Sequence, residues 1–102
     1  MMYGSTGKLL RINLSNGNIN TETVPEAFYR KYYGGRGMIA AILLKELAPG
    51  IDPLGPENKL VFATGILTGN PIPGTGRHSI GAKSPITGGY GDGEAGGFWG
   101  AE

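Results

Sequence analysis

The feature that most constrains this chain is its glycine content, 20 of 102 residues, of which more than half lie within residues 68–102. Average glycine usage in proteins is about 7 per cent. The glycine-rich stretch has no repeat and contains large apolar side chains such as Ile80, Tyr90 and Trp99, which flexible linkers rarely carry. We therefore expect a folded region whose backbone passes close to another group.

Length and charge exclude several classes of protein. One hundred and two residues fit one small domain with a modest core, and the formal net charge is only +1. No block of lysine and arginine is present to follow a nucleic-acid backbone, so nucleic acid is not an expected partner.

The same sequence argues against a membrane or secreted protein. The longest apolar segment, residues 38–44, is far below the roughly 20 residues that span a bilayer, and the N-terminus lacks the pattern of a signal peptide. We expect a cytoplasmic protein without a membrane partner. Because cysteine is absent, these residues cannot form disulfides, thiolate zinc sites or a cysteine-ligated iron–sulfur cluster.

Hydrophobic periodicity predicts the elements of the first half. Strand-like alternation in residues 7–14 and 19–24, separated by "SNGN", indicates a β-hairpin. Helices are predicted from Pro25 to the glycine pair at 34 and 35, and over residues 37–50. The apolar run at residues 59–65 then suits a strand buried on both faces.

The second predicted helix carries an apolar stripe of Ile39, Ile42, Leu43 and Leu47. After it, short β-prone pieces at residues 77–83 and 86–91 alternate with turn residues. The predicted class is therefore α+β, with an N-terminal β-hairpin, two helices and short strands of a β-sheet base. The last residues resemble the start of a helix that does not continue, so we expect an incomplete domain.

The stretch "GTGRHS" at residues 74–79 is one candidate site. Its glycines allow close approach of a ligand, and Arg77 offers a planar fork of donors suited to phosphate or carboxylate. The spacing matches neither a phosphate loop nor a dinucleotide fingerprint, and a solvent-facing arginine after a turn stays open. For His78, a partly buried, hydrogen-bonded imidazole is favoured over a metal ligand or base, because no second histidine or cysteine accompanies it.

Two further glycine-rich stretches invite functional interpretations. In "GDGEAGGFWG" at residues 91–100, Asp92 and Glu94 lack a third group to orient them for acid–base work. A loop whose backbone contacts a ligand, or a plain turn, is the better interpretation. In "YYGGRG" at residues 32–37, the glycines are better explained as residues that end a helix than as phosphate-binding residues. The neighbouring tyrosines are better explained as core residues than as residues that stack on a ligand.

Four stretches taken together resemble a known family. Residues 3–19, 32–47, 52–88 and 96–102 are similar, in order and spacing, to the N-terminal region of the tungsten-containing aldehyde ferredoxin oxidoreductases. The resemblance covers essentially the whole chain. Benzoyl-CoA reductase catalytic subunits and other oxidoreductases of that superfamily share this region, so it does not define the substrate.

The resemblance implies a metalloenzyme. Family enzymes hold tungsten, sometimes molybdenum, between two pterins beside a 4Fe–4S cluster, and oxidise aldehydes to carboxylic acids with ferredoxin as electron acceptor. Residues 1–102 would be the N-terminal cofactor-binding domain, truncated at its C-terminal end. Because the cluster cysteines, the other pterin contacts and the substrate pocket come from later domains, the chain alone should be inactive and should supply no catalytic residue or metal ligand.

The resemblance also implies roles for four residues. Arg77 matches the family arginine that lies between a pterin and the cluster. Gly96 and Gly97 match a loop that contacts the bis-pterin cofactor, and Glu94 stands where asparagine is common in that loop. His78 falls where the family varies and receives no catalytic role.

Two other functions remain open from the residues alone. The first is a stand-alone module that binds a small phosphorylated ligand or a partner protein through its glycine-rich face. The second is a nonfunctional remnant held together by the hairpin and the helices. Under the family resemblance, a chain of this length should expose the apolar faces that later parts of the enzyme cover, so we expect marginal stability or self-association.

Overall fold

Five strands and two helices follow one another in the order ββααβββ in the computed structural model, which describes residues 5–102. Two strands form one antiparallel sheet, and three form a second antiparallel sheet with its strands in chain order. The predicted α+β class is therefore confirmed. The elements are β1 (Lys8–Ile12), β2 (Ile19–Thr23), α1 (Glu26–Tyr32), α2 (Gly35–Glu46), β3 (Val61–Thr64), β4 (His78–Lys83) and β5 (Tyr90–Ala95).

Strands β1 and β2 form the hairpin that the alternating pattern predicts. Their register pairs Lys8 with Thr23 and Ile12 with Ile19. In the turn, the N–H of Gly17 donates to the carbonyl of Asn13 at 2.8 Å, and Gly17 has a φ of 76°. A glycine adopts that left-handed conformation without steric cost, which explains its position in the turn.

The junction between the helices is tied to the end of β3. Tyr33 ends α1 in the left-handed conformation, at a φ of 59°, and donates its N–H to the carbonyl of Tyr29. Gly34 follows with a φ of 81° and bridges to Gly65, and a Cβ at Gly34 would overlap the Thr64 carbonyl oxygen. The two helices are separated at the predicted glycine pair, although Tyr33 and not a glycine takes the left-handed position that ends α1. The close approach to Thr64 explains why no larger residue fits at Gly34.

Helix α2 supplies most of the buried core. Ile39 is completely buried, and Met38, Ile42 and Leu43 are also buried, which confirms three members of the predicted stripe. The helix packs on the sheet through Gly81 of β4, where an added Cβ would lie 2.5 Å from Ile39 Cγ2. The glycine therefore sets the spacing between helix and sheet.

Other details of the sequence prediction were wrong. Helix α2 ends at Glu46 rather than near residue 50, and Leu47 caps it in an extended conformation. Strand β3 is half-buried on one face only, since Phe62 on its other face is 50% exposed. Helix α2 covers one side of the sheet, and on the other side Trp99 contacts Phe62.

The predicted strand over residues 86–91 was also wrong. The chain turns there: Ser84 donates its N–H to the carbonyl of Gly89, and Gly88 donates back to the carbonyl of Ser84. Gly88 has a φ of 74°, which suits a turn rather than a strand. The strand begins only at Tyr90 and runs into the segment expected to be a loop.

A charged cluster fastens the hairpin to α2. Arg11 of β1 donates two hydrogen bonds to the Glu46 carboxylate, at 2.6 and 2.7 Å, and Lys59 donates a third at 2.6 Å. Arg11 also pairs with Glu22 at 2.7 Å. The hydrogen bonds from Arg11, with those from Lys59, lower the pKa of Glu46 to about 2, against the opposing effect of burial. In return, hydrogen bonds to Glu46 and Glu22 raise the pKa of Arg11.

The outer face of the hairpin is apolar and exposed, as expected under the family resemblance. Leu10, Ile12 and Ile19 are each more than half exposed. Neither helix in residues 5–102 has the length and apolar content needed to cross a bilayer.

Candidate functional site at one end of the β4 and β5 pair

The antiparallel pairing of β4 with β5 brings two predicted site segments together. His78, the first residue of β4, is paired with Ala95, the last residue of β5. Arg77 and Gly96 are therefore the residues immediately beyond the pair, at the same end of the sheet. Residues that lie about twenty positions apart in the chain thus become neighbours through sheet register alone.

Glycines line this end of the sheet and leave room above the backbone. A Cβ built on Gly96 or on Gly97 would meet no atom within 4 Å, and Gly97 has a φ of 110°. Gly76, on the opposite segment, would place its Cβ 3.5 Å from the carbonyl oxygen of Gly97. The two glycine segments therefore lie side by side, with accessible backbone on the turn at Gly96 and Gly97.

The main chain of Arg77 is anchored by the loop before β4. Its carbonyl accepts a hydrogen bond from Thr68 Oγ1 at 3.2 Å, and the same Oγ1 accepts one from the N–H of Gly65 at 2.9 Å. Further along the loop, Gly69 donates to the carbonyl of Thr75 at 2.9 Å. These internal bonds order a loop that has few apolar residues to pack.

The side chain of Arg77 is exposed and forms no ion pair with a carboxylate of residues 5–102. The sequence explains this, because no acidic residue occurs between Glu57 and Asp92. An exposed arginine without an ion-pair partner, in a segment that lies next to open glycine backbone, is suited to bind an anionic or hydrogen-bonding group.

Glu94 lies apart from the other three predicted site residues. It is inside β5, paired with Ser79, and not in the loop that the sequence predicts. Its carboxylate lies 3.6 Å from the guanidinium of Arg36, which also pairs with Asp92 at 3.2 Å. Both acidic side chains therefore point to the α2 side of the sheet. No periodicity in the sequence predicts this ion pair, which depends on how α2 crosses the sheet.

Tyr90 adjoins this acidic pair. Burial is the main cause that raises the pKa of its hydroxyl, and the charge of Asp92 together with a hydrogen bond to it adds to the effect. The phenol therefore stays protonated and acts as a donor to Asp92.

His78 is buried, as the sequence predicts, but the expected hydrogen bond to Nδ1 is missing. The residue is 8% exposed, and Nδ1 has no hydrogen-bond partner among residues 5–102. Trp99 covers the imidazole, with 4.6 Å between ring centroids. The predicted hydrogen bond of the imidazole is therefore not found at Nδ1, and the ring is instead in contact with Trp99. Sequence reasoning also missed this contact of Trp99.

Comparison with known proteins gives the family of this chain. Residues 9–102 match the family described as aldehyde ferredoxin oxidoreductase, N-terminal domain. The chain belongs to the aldehyde ferredoxin oxidoreductase family. The match takes in all three segments of the site: the loop before β4, the strand pair and the glycine turn.

Relatives of known name agree with that assignment. The tungsten-containing aldehyde ferredoxin oxidoreductase of Pyrococcus horikoshii is 52% identical over 99% of this chain, which spans 17% of the relative's length. An aliphatic sulfonate oxidoreductase, WOR-like subunit, of Pyrococcus furiosus is 43% identical to this chain. The match covers 86% of this chain and 14% of the relative's length.

A solved structure has the same fold. A chain of the active site complex BamBC of benzoyl coenzyme A reductase, in complex with 1,5-dienoyl-CoA, superposes with a TM-score of 0.96 at 36% identity. The superposition covers 100% of the present chain and 16% of that chain. The family therefore contains proteins named for different substrates that share this N-terminal domain.

Proposed function

We propose that this chain holds one side of a tungsten (or molybdenum) bis-pterin cofactor in an aldehyde ferredoxin oxidoreductase. The observation that carries the proposal is the juxtaposition of the backbone at Arg77, whose side chain is exposed and without an ion-pair partner among residues 5–102, with the open turn at Gly96 and Gly97. The family match supports a portion of an enzyme over the stand-alone binding module.

The residues present fit such a cofactor. A flat, anionic group needs cationic donors and a backbone that it can approach closely, and the glycine turn provides the space that a Cβ would fill. Between Glu57 and Asp92 the sequence contains no carboxylate that would repel the group. When bound, the cofactor supplies two-electron redox chemistry at its metal.

Each predicted site residue has a separate role in this proposal. Arg77 donates hydrogen bonds to the pterin and offsets negative charge between the pterin and the cluster. Gly96 and Gly97 present backbone groups to the cofactor at close range. Glu94 borders the site through the backbone of β5, since its carboxylate pairs with Arg36. A contact of the Glu94 side chain with the cofactor would first require that ion pair to break.

The remaining parts of the reaction come from outside this chain. The 4Fe–4S cluster is proposed to be ligated elsewhere, because these 102 residues contain no cysteine. Ferredoxin is the proposed electron acceptor, and an aldehyde is the proposed substrate. The aldehyde is taken from the name of the Pyrococcus horikoshii relative.

The proposal is tested by substituting Arg77 in the intact protein. Tungsten is measured by mass spectrometry and pterin by fluorescence after oxidative release. Arg77→Ala should lower the cofactor content, and Arg77→Lys should recover it only in part, because an ammonium lacks the planar fork. Arg30→Ala is the matched control, since this exposed arginine pairs only within α1, with Glu26. Equal tungsten and pterin content in Arg77→Ala and the control would refute the proposal.

A further inference from the structure

Trp99 contacts two rings of the sheet, while 63% of its surface remains exposed. It lies in the segment after β5, with its ring centroid 5.6 Å from that of Phe62 on β3 and 4.6 Å from that of His78 on β4. Both pairs meet edge to face, a favourable geometry for aromatic rings. Because Trp99 follows Gly97 by two residues, these contacts fix the far end of the glycine turn, whose near end leaves β5.

The neighbouring residues of that segment also lie directly on the sheet. A Cβ built on Gly100 would be 3.3 Å from both Cβ and Nδ1 of His78, so only a glycine fits there without displacement. A Cβ on Gly69 would be 3.3 Å from the carbonyl oxygen of Ala101. The segment therefore contacts both β4 and the loop before it, and it seals His78 from solvent.

The burial of His78 indicates that the contacts of the Trp99 segment with this histidine do more than fill space. A buried imidazole nitrogen without a partner is costly, and a purely apolar side chain would fill the position more favourably. His78 directly follows Arg77 in the chain, so the contacts that fix its ring also restrain the backbone that carries the guanidinium. One aromatic contact thus connects the two sides of the candidate site.

We propose that Trp99 is a positioning residue that, packed against Phe62 and His78, holds the turn at Gly96 and Gly97 in place opposite Arg77. The inference deepens the proposed function and rests on it for the identity of the ligand. The anchoring itself can be measured without the ligand's chemistry, through the backbone dynamics of the turn.

The test compares Trp99→Leu with Trp99→Phe in the intact protein. Hydrogen exchange of a peptide covering residues 94–101 should be about tenfold faster in Trp99→Leu, because two edge-to-face contacts are lost. Trp99→Phe retains an aromatic ring and should stay within about threefold of the unsubstituted protein. Phe98→Leu is the matched control, since the Phe98 side chain is 89% exposed and its loss should change exchange by no more than about twofold.

Phe62→Leu is a second, milder variant in case Trp99→Leu does not fold. It removes one of the two ring contacts and should accelerate exchange of the same peptide by about threefold. Unchanged exchange in both Trp99→Leu and Phe62→Leu would overturn the inference.

Cofactor content separates this inference from the proposed function. Trp99→Leu should retain less tungsten and pterin than the unsubstituted protein, and Trp99→Phe should restore both. If Trp99→Leu loosens the turn but keeps its full cofactor while Arg77→Ala loses it, the positioning role is overturned and the proposed function stands. If Arg77→Ala also keeps its cofactor, the proposed function fails whatever the exchange experiment gives.

Discussion

Replacing Gly81 by alanine should loosen the contact between α2 and the sheet. The added Cβ would lie 2.5 Å from Ile39 Cγ2 and 3.1 Å from the Tyr90 hydroxyl oxygen. Ile39 cannot move aside easily, because its side chain is branched at Cβ and completely buried. Overpacking of this kind costs about 1–3 kcal/mol, so the free energy of local opening should fall by that amount.

Gly93→Ala is the matched control for this experiment. Gly93 lies on the adjacent strand β5, opposite Ile80, and a Cβ there would meet nothing within 4 Å. Alanine at that position should be neutral or stabilise the strand by about 0.5–1 kcal/mol, because glycine carries an entropic cost.

The assay is hydrogen exchange of peptides from α2 and β4 in the intact protein. A loss of about 1–3 kcal/mol corresponds to exchange about 5 to 150 times faster in Gly81→Ala. Gly93→Ala should show no acceleration. If the two alanine variants exchange at the same rate, the argument that Gly81 sets the helix-to-sheet spacing is refuted.

Three further predictions concern the junctions of the fold. Glu46→Gln should lower the free energy of unfolding at pH 7 by about 1–2 kcal/mol, allowing for solvent screening of the partly exposed Arg11, as measured by denaturant titration. The folded pKa of Glu46 is lowered to about 2, so its contribution is present above the unfolded value of 4.5 and is lost as pH falls from 4.5 towards 2. The glutamine variant should therefore lose less stability over that range, and parallel losses would contradict the assignment. Gly34→Ala should lower the free energy of unfolding by more than about 1 kcal/mol, because it combines a φ of 81° with a clash at the Thr64 carbonyl. Unchanged protection from hydrogen exchange at the start of α2 would count against that reasoning.

The sequence predicts helices and strands well where the pattern of apolar residues arises from neighbouring positions in the chain. The hairpin follows from alternation on both sides of a glycine turn, and α2 follows from Ile39, Ile42 and Leu43 on one face. The resemblance identified the family, which the comparisons confirm over residues 9–102.

The missed features depend on contacts between distant segments. Residues 91–95 contain two glycines, Gly91 and Gly93, and were expected to be a loop, but pairing with β4 makes them a strand. The partners of Glu94 and His78 likewise come from Arg36 and Trp99, which no spacing in the sequence connects to them.

For the candidate site, the sequence identified residues but not their arrangement. Arg77, Gly96 and Gly97 lie together because β4 and β5 are in register, whereas Glu94 lies within β5 with its carboxylate directed towards α2. Whether Glu94 can contact the cofactor, as the resemblance implies for the asparagine common at this position, depends on the direction of its side chain, which the sequence does not show.

The central claim is tested most directly by anomalous diffraction at a tungsten absorption edge, on crystals of the intact protein. The account predicts a tungsten peak beyond the end of the β4 and β5 pair, with pterin density in contact with Arg77 and with the turn at Gly96 and Gly97. A fully occupied tungsten site whose pterins contact none of these three residues would contradict it.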